Sequence, residues 1–434
     1  MTAEASSVAS GAGERMHALA SELFPLCRSI TGNGVRATLR AIAEKITLKI
    51  HEVPSGTQVL DWTIPDEWNI HDAYIVAPDG RHVVEFAASN LHVVSYSEPV
   101  RETMTLDRLR PNLHTHPDNP AWIPYRTSYY TRSWGFCMAQ ERLDEMGDGL
   151  YDVVVDSTLE PGSLTYGECF LPGESEEEVL MTTHVCHPSL ANDNLSGVAL
   201  LTELGAALAT RPHRLSYRLL FIPGTIGSIA WLARNEERIS NVVGGLVIAC
   251  VGDSRPLTYK RSRRGDALVD RAAAHIVGSE GGRVLDFVPW GWDERQFNSP
   301  GFDLAVGCLT RALESEFPEY HSSADDLDLI RPEHLEGSLR AALAILDVLE
   351  HDRAYLNLAP KGEPQLGKRG LYRGLGGANV SAEQLAQLWV LNQADGGRTL
   401  FDIAERSGLS FSEIRLAADR LRDGGLLAEV PRAG

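Results

Sequence analysis

From about residue 179 to residue 351 the chain alternates short apolar runs with segments of helical period, a pattern few architectures accept. The runs 179–183, 217–222, 245–250, 284–287 and 304–308 have the length and apolar content of buried strands. Segments 195–210, 228–235 and 268–276 place apolar residues every three or four positions between them, and 332–349 closes the series. Alternation of this kind predicts an α/β domain, a mostly parallel sheet with helices on both faces. Open sheets of that class bind ligands beyond the carboxyl ends of their strands. The turns that follow the strands are therefore where chemistry is to be sought.

One such turn is His184-Val-Cys-His-Pro-Ser-Leu-Ala-Asn-Asp-Asn-Leu-Ser-Gly197. It holds two imidazoles, His184 and His187, and the carboxylate of Asp193. Neutral imidazole and carboxylate are groups that Zn²⁺ accepts. The same residues also suit a polar loop with an Asp or Asn helix cap, and spacing alone leaves both readings open. Cys186 lies inside the turn and reads as a small hydrophobe lining it. Other strand ends are polar too: Val251-Gly-Asp253, and Pro318-Glu-Tyr-His321 with Glu319. A loop before the last strand holds Trp290-Gly-Trp-Asp-Glu-Arg, with Asp293 and Glu294. Carboxylates and imidazoles at several strand ends of one sheet can converge in space, which strengthens the metal reading.

Charge narrows the partners. The 434 residues carry a formal net charge of -19, which argues against nucleic acid and anionic membrane surfaces. No apolar run reaches the roughly 20 residues of a membrane span. The first residues lack the basic and apolar regions of a secretory signal. Six cysteines lie far apart without a C-x-x-C pair, as expected of reduced thiols in a cytoplasmic protein. Self-association into a homo-oligomer is left open.

Texture divides the chain into 1–58, helical after a disordered start over 1–13; 59–167, a β-rich insert; 168–354, the α/β core; 355–380, an extended connector; and 381–434, a small helical unit. Within the insert, Trp122 to Phe136 forms an aromatic cluster with Arg126 and Arg132. It suits either substrate contact or the insert's own core. His114 and His116 read as exposed turn residues. In the last unit a helix, a turn at Ser407-Gly-Leu409 and a second helix fit a winged helix-turn-helix. Its second helix mixes Glu413, Asp419 and Asp423 with Arg415, Arg420 and Arg422. No basic stripe for DNA results, and a docking or dimerising role is expected instead.

Taken together, the motifs resemble the zinc aminopeptidase superfamily, and more closely its aminopeptidase-like members with an inserted β domain and a C-terminal winged helix. The resemblance rests on Cys27-Arg-Ser-Ile-Thr-Gly32, Pro124-Tyr-Arg-Thr-Ser-Tyr-Tyr130, the His184 to Gly197 stretch, Cys250-Val-Gly-Asp253 and Pro318-Glu-Tyr-His321. It implies a zinc exopeptidase-like fold, one or two Zn²⁺ ions and a small amino-acyl or peptide-like substrate, in natural-product or polysaccharide biosynthesis. Asp193 would be the carboxylate shared between metals. His321 would be a ligand on the second, His184 or His187 the strand-end ligand, and Asp253 the third acidic ligand. Relatives of this type carry a glutamate base where this chain has Gly224. Asp293, Glu294 and Glu319 are nearby candidates to replace it, Asp293 or Glu319 first. Without that glutamate, the alternatives are a single-zinc acyl transferase or cyclase, or an inactive homologue that binds a metabolite or partner.

Overall fold

A computed structural model describes residues 11–313, 316–371 and 381–431. The chain folds into two compact units, one of residues 11–270 with 277–339, the other of 271–276 with 340–431. The disorder expected over 1–13 falls largely outside the described residues. From Ala12 the chain is helical, through α1 (Ala12–Leu23) and α2 (Asn33–Ala43).

The larger unit is built on an eight-stranded sheet. Its strands are β1 (Lys49–Pro54), β2 (Ser163–Leu171), β3 (Glu178–His184), β4 (Ser216–Ile222), β5 (Val242–Ile248), β6 (Thr258–Lys260), β7 (Arg283–Leu285) and β8 (Val306–Thr310). They lie in the order β1-β2-β4-β3-β5-β8-β6-β7. The central four are parallel to one another, while β1, β2 and β6 pair antiparallel to their inner neighbours. Every residue of β3 and β4 is buried. That is possible only where helices and loops cover both faces, and it explains why these strands read as unbroken apolar runs. The helices between them include α3 (Gly197–Leu208) and α4 (Ile226–Arg234).

The insert forms a four-stranded antiparallel sheet in the order His82–Glu85, Glu67–Val76, Leu150–Glu160, Val100–Thr105. Its apolar side is not a separate core. Trp68, Ile75, Val153 and Val155 belong to one cluster with Leu180, Leu220, Ile222 and Val247 of the large sheet. The insert thus shares the burial that stabilises the α/β domain.

The smaller unit has the expected helix-turn-helix in Leu400–Ser407 and Phe411–Asp423, preceded by Ala382–Gln393. Ser381, Thr399 and Ser410 each close a capping box on the helix they precede. Phe401, Phe411, Ile414 and Leu421 fill its core. The stretch taken from sequence as a connector needs correcting at its start. Ala354–Asn357 is the central strand of a small sheet, flanked by Asp395–Thr399 and Leu427–Glu429. Residues 372–380 of that stretch lie outside those described.

Candidate metal centre

Strand β3 delivers His184 to the carboxyl edge of the sheet, and the chain then turns through Ala191–Ser196 into α3. The turn is not regular helix: Asp193 and Asn194 have non-helical backbone angles. Its polar side chains explain why. Asn192 Nδ2 donates to Asp253 Oδ2 (2.8 Å), Asn194 Nδ2 to Thr183 Oγ1 (2.8 Å), and Ser196 Oγ to Asn192 O (2.7 Å). Asn192 and Asn194 accept in turn from the backbone N–H groups of Gly252 and Cys250. The fully buried Asp325 receives the N–H groups of Asn192 (2.6 Å) and Asp193 (2.9 Å). Gly197 closes the turn where a β-carbon would lie 2.6 Å from Ile248 O and from Thr183 Oγ1. The Asn-Asp-Asn-x-Ser-Gly run is thus a hydrogen-bonded clamp that fixes Asp193.

Three imidazoles surround that carboxylate. His184 Nε2 lies 2.8 Å from Asp193 Oδ1; His321 Nε2 and His187 Nε2 lie 3.1 and 3.9 Å from Oδ2. Burial pushes the Asp193 carboxyl up, but the imidazoles of His187, His184 and His321 hold it well below its ordinary range. Burial lowers His187 to about 3 against the pull of Asp193, so its ring is neutral, the form that binds metal. Asp193 Oδ2 and His321 Nε2 face each other buried, and neither has a hydrogen bond of good geometry. Ligand atoms of His184, His187 and Asp193 fall within 4.8 Å of one another. A carboxylate and imidazoles so placed are ligand types that a zinc ion accepts.

The opposite wall is set by Gly224, after β4. A β-carbon there would stand 3.2 Å from His184 Cβ and 3.4 Å from Asp293 Oδ2. Asp293 is fully buried; Ser228 Oγ donates to its Oδ1 at 2.7 Å, and its Oδ2 has no partner. Burial raises this carboxyl to about 6, against the pull of His184 and the Ser228 hydrogen bond. A cavity of about 280 Å³ opens here, bordered by His184, His187, His321, Gly224 and Asp293.

Of the residues singled out from sequence, His184, His187, Asp193, His321 and Asp293 come together. Asp253 and Glu319 are not among the residues that border the cavity. Arg255 pairs with both, at 3.3 and 3.2 Å, and Asp253 also receives Asn192. The Asp253 carboxylate is thus tied to a guanidinium and an amide of the turn. His114 instead meets Arg126 at 2.9 Å. Cys186 is buried, which pushes its thiol up, as suits a packing residue.

The aromatic motif of the insert reaches this site. Tyr125 N donates to His321 O (2.7 Å) and Ser323 N to Ile123 O (2.8 Å), while the Tyr125 ring packs edge-on against His187 and His321. Tyr129 bonds Tyr125 through their hydroxyls at 2.7 Å. Arg28 was not singled out from sequence as a site residue. It is buried and donates to His187 O (2.7 Å), Pro188 O (2.9 Å) and Leu23 O (2.6 Å). Its place in the Cys27 to Gly32 motif was the only signal.

Comparison with known proteins identifies the family and the fold. Residues 17–352 match the family described as domain of unknown function DUF4910, and residues 353–429 match a winged helix-turn-helix family. The chain is 52% identical over 412 residues to a candidate polysaccharide biosynthesis protein with an aminopeptidase-like domain from Clostridium acetobutylicum, covering 94% of this chain and 95% of that one. The crystal structure of a candidate peptidase from Clostridium acetobutylicum is similar with a TM-score of 0.93, at 50% identity over 98% of both chains. A zinc aminopeptidase from Bacillus subtilis shares the fold at 15% identity, with a TM-score of 0.57 over 79% of this chain and 95% of that one.

Proposed function

Because this chain belongs to the DUF4910 family of aminopeptidase-like proteins, we propose that it is a metal-dependent amide hydrolase acting on a small amino-acyl substrate. The observation that carries this reading is Asp293. It is a buried, unpaired carboxylate oxygen facing the position where such enzymes carry glutamate, across from three imidazoles and Asp193.

His184, His187, Asp193 and His321 would hold zinc. The chemistry a bound zinc supplies is polarisation of the scissile carbonyl and a water of lowered pKa. Asp293 takes the proton of the attacking water and returns it to the departing amine. The amide C–N bond breaks, leaving a carboxylate and an amine. A carboxyl near 6 is ionised at neutral pH yet more basic than an ordinary aspartate, which suits a proton acceptor working there. Tyr125 and Arg28 hold the rings and backbone of His187 and His321 in register. A place in polysaccharide assembly belongs to this reading, supported by the name of the 52% identical relative.

The test is hydrolysis of a panel of aminoacyl amides in ¹⁸O-water with the zinc-supplied protein. Label in the product carboxylate, lost with Asp293→Asn, is the expected result. Product formed without label would replace hydrolysis by acyl transfer.

A further inference from the structure

The cavity beside the candidate centre has one feature that amide cleavage does not use. Arg295 lines it, two residues beyond Asp293. No hydrogen bond or ion pair links its guanidinium to another described residue, and its Nε is buried without an acceptor. Several other arginines of this unit that are wholly or partly buried are paired. Arg36, Arg218, Arg255 and Arg283 each meet a carboxylate, and even the buried Arg28 spends its donors on three carbonyls. Buried donors are ordinarily satisfied, so an exception inside a cavity invites a ligand.

Local structure holds the guanidinium ready. It lies over the Trp290 ring, 5.8 Å from the centroid. A stacked guanidinium keeps its in-plane N–H edges free for a planar acceptor. The loop beneath is pinned by a buried ion pair between Lys260 and Glu294, with Lys260 Nζ also donating to Trp290 O at 2.5 Å. Glu294 sits between Asp293 and Arg295, so one clamp positions both neighbours.

We propose that Arg295 anchors a free carboxylate of the substrate, so that the cavity takes an amide bearing a carboxylate, such as a dipeptide or an N-acylamino acid. Carboxylate matches the fork of an arginine with two parallel hydrogen bonds. A phosphate dianion would set more charge against Asp293, which shares the cavity wall. This assignment rests on the hydrolase reading for the bond that is cut, but anion binding is measurable without turnover.

The experiment is calorimetric titration of the full-length, zinc-supplied protein with N-acetylglycine, N-acetylglycinamide and inorganic phosphate. Wild type should prefer the carboxylate to the carboxamide by about tenfold or more, the scale of a charge-assisted pair. Arg295→Gln should bring the two ligands together, and Arg295→Lys should restore part of the difference. Equal affinities in wild type would overturn the proposal. So would a preference that survives Arg295→Gln, which would put the carboxylate on the imidazole cluster, or phosphate bound more tightly than N-acetylglycine. If the preference appears but no amide is cleaved, the hydrolase reading fails and the anchor stands.

Discussion

Asp293 lies beside Gly224, where a β-carbon would stand 3.4 Å from its Oδ2, and residue-scale predictions follow from the proposed role of this carboxylate as proton acceptor. Asp293→Asn should lower turnover by about 10² to 10⁴, the usual worth of a general base, while metal content stays unchanged. The pH profile carries its sign. With the Asp293 carboxyl raised to about 6 by burial, the proton-accepting form dominates above that pH, so the rate should fall as pH drops through 6. Asp293→Asn should lose this limb; an unchanged profile would remove Asp293 as base. Gly224→Glu should not improve the enzyme, because its side chain must start 3.4 Å from Asp293 Oδ2 and set two carboxylates together. Lower turnover in that variant is the expected readout. The sequence marked His184, His187, Asp193 and His321 because ligand chemistry at strand ends is written in residue type. It could not show that Arg255 lies between Asp253 and Glu319, since that pairing joins segments over sixty residues apart.

At the scale of elements, the central strands were legible because both of their faces are buried, leaving runs with no polar alternation. Within the large sheet, two strands were missed. Ser163–Leu171 follows Leu150–Glu160 after a short turn, so one continuous β texture crosses from the insert's sheet to the large one without a mark. Thr258–Lys260 is too short to show a period. Helix α3 begins two residues later than its apolar spacing suggests, since Asn192, Asp193 and Asn194 spend their hydrogen bonds outside the helix. A polar exception in the central sheet supports a stability prediction. Arg218 of β4 donates to Glu178 of β3 at 2.7 and 2.8 Å and to Glu168 of β2 at 2.6 Å, with Arg218 and Glu178 both buried. Glu178→Ala should cost about 3–5 kcal/mol in urea denaturation, because it strands a buried guanidinium. A loss below 1 kcal/mol would mean that Glu168 alone satisfies Arg218.

For the molecule as a whole, the order of elements named the α/β class and the winged helix, whereas convergence of the site depended on long-range packing no local pattern encodes. The winged unit shows the same limit. Its second helix carries three arginines, and each meets a carboxylate: Arg415 with Asp347 (2.9 Å), Arg422 with Asp419 (3.1 Å), and Arg420 with Glu383. With those charges neutralised and the chain at -19 overall, the full-length protein should not retard duplex DNA at physiological salt. A salt-sensitive shift would reverse that expectation. Among the described residues no helix is long and apolar enough to cross a membrane. His184, His187 and Asp193 share one turn, whereas His321 comes from a stretch far along the chain, and they meet only if the whole fold forms. Zinc per chain, determined by mass spectrometry on protein purified without chelator, tests that meeting most directly. At least one equivalent in the wild type, lost when Asp193→Asn and His321→Ala are combined, is the predicted result; no stoichiometric metal, or metal that survives both substitutions, would contradict it.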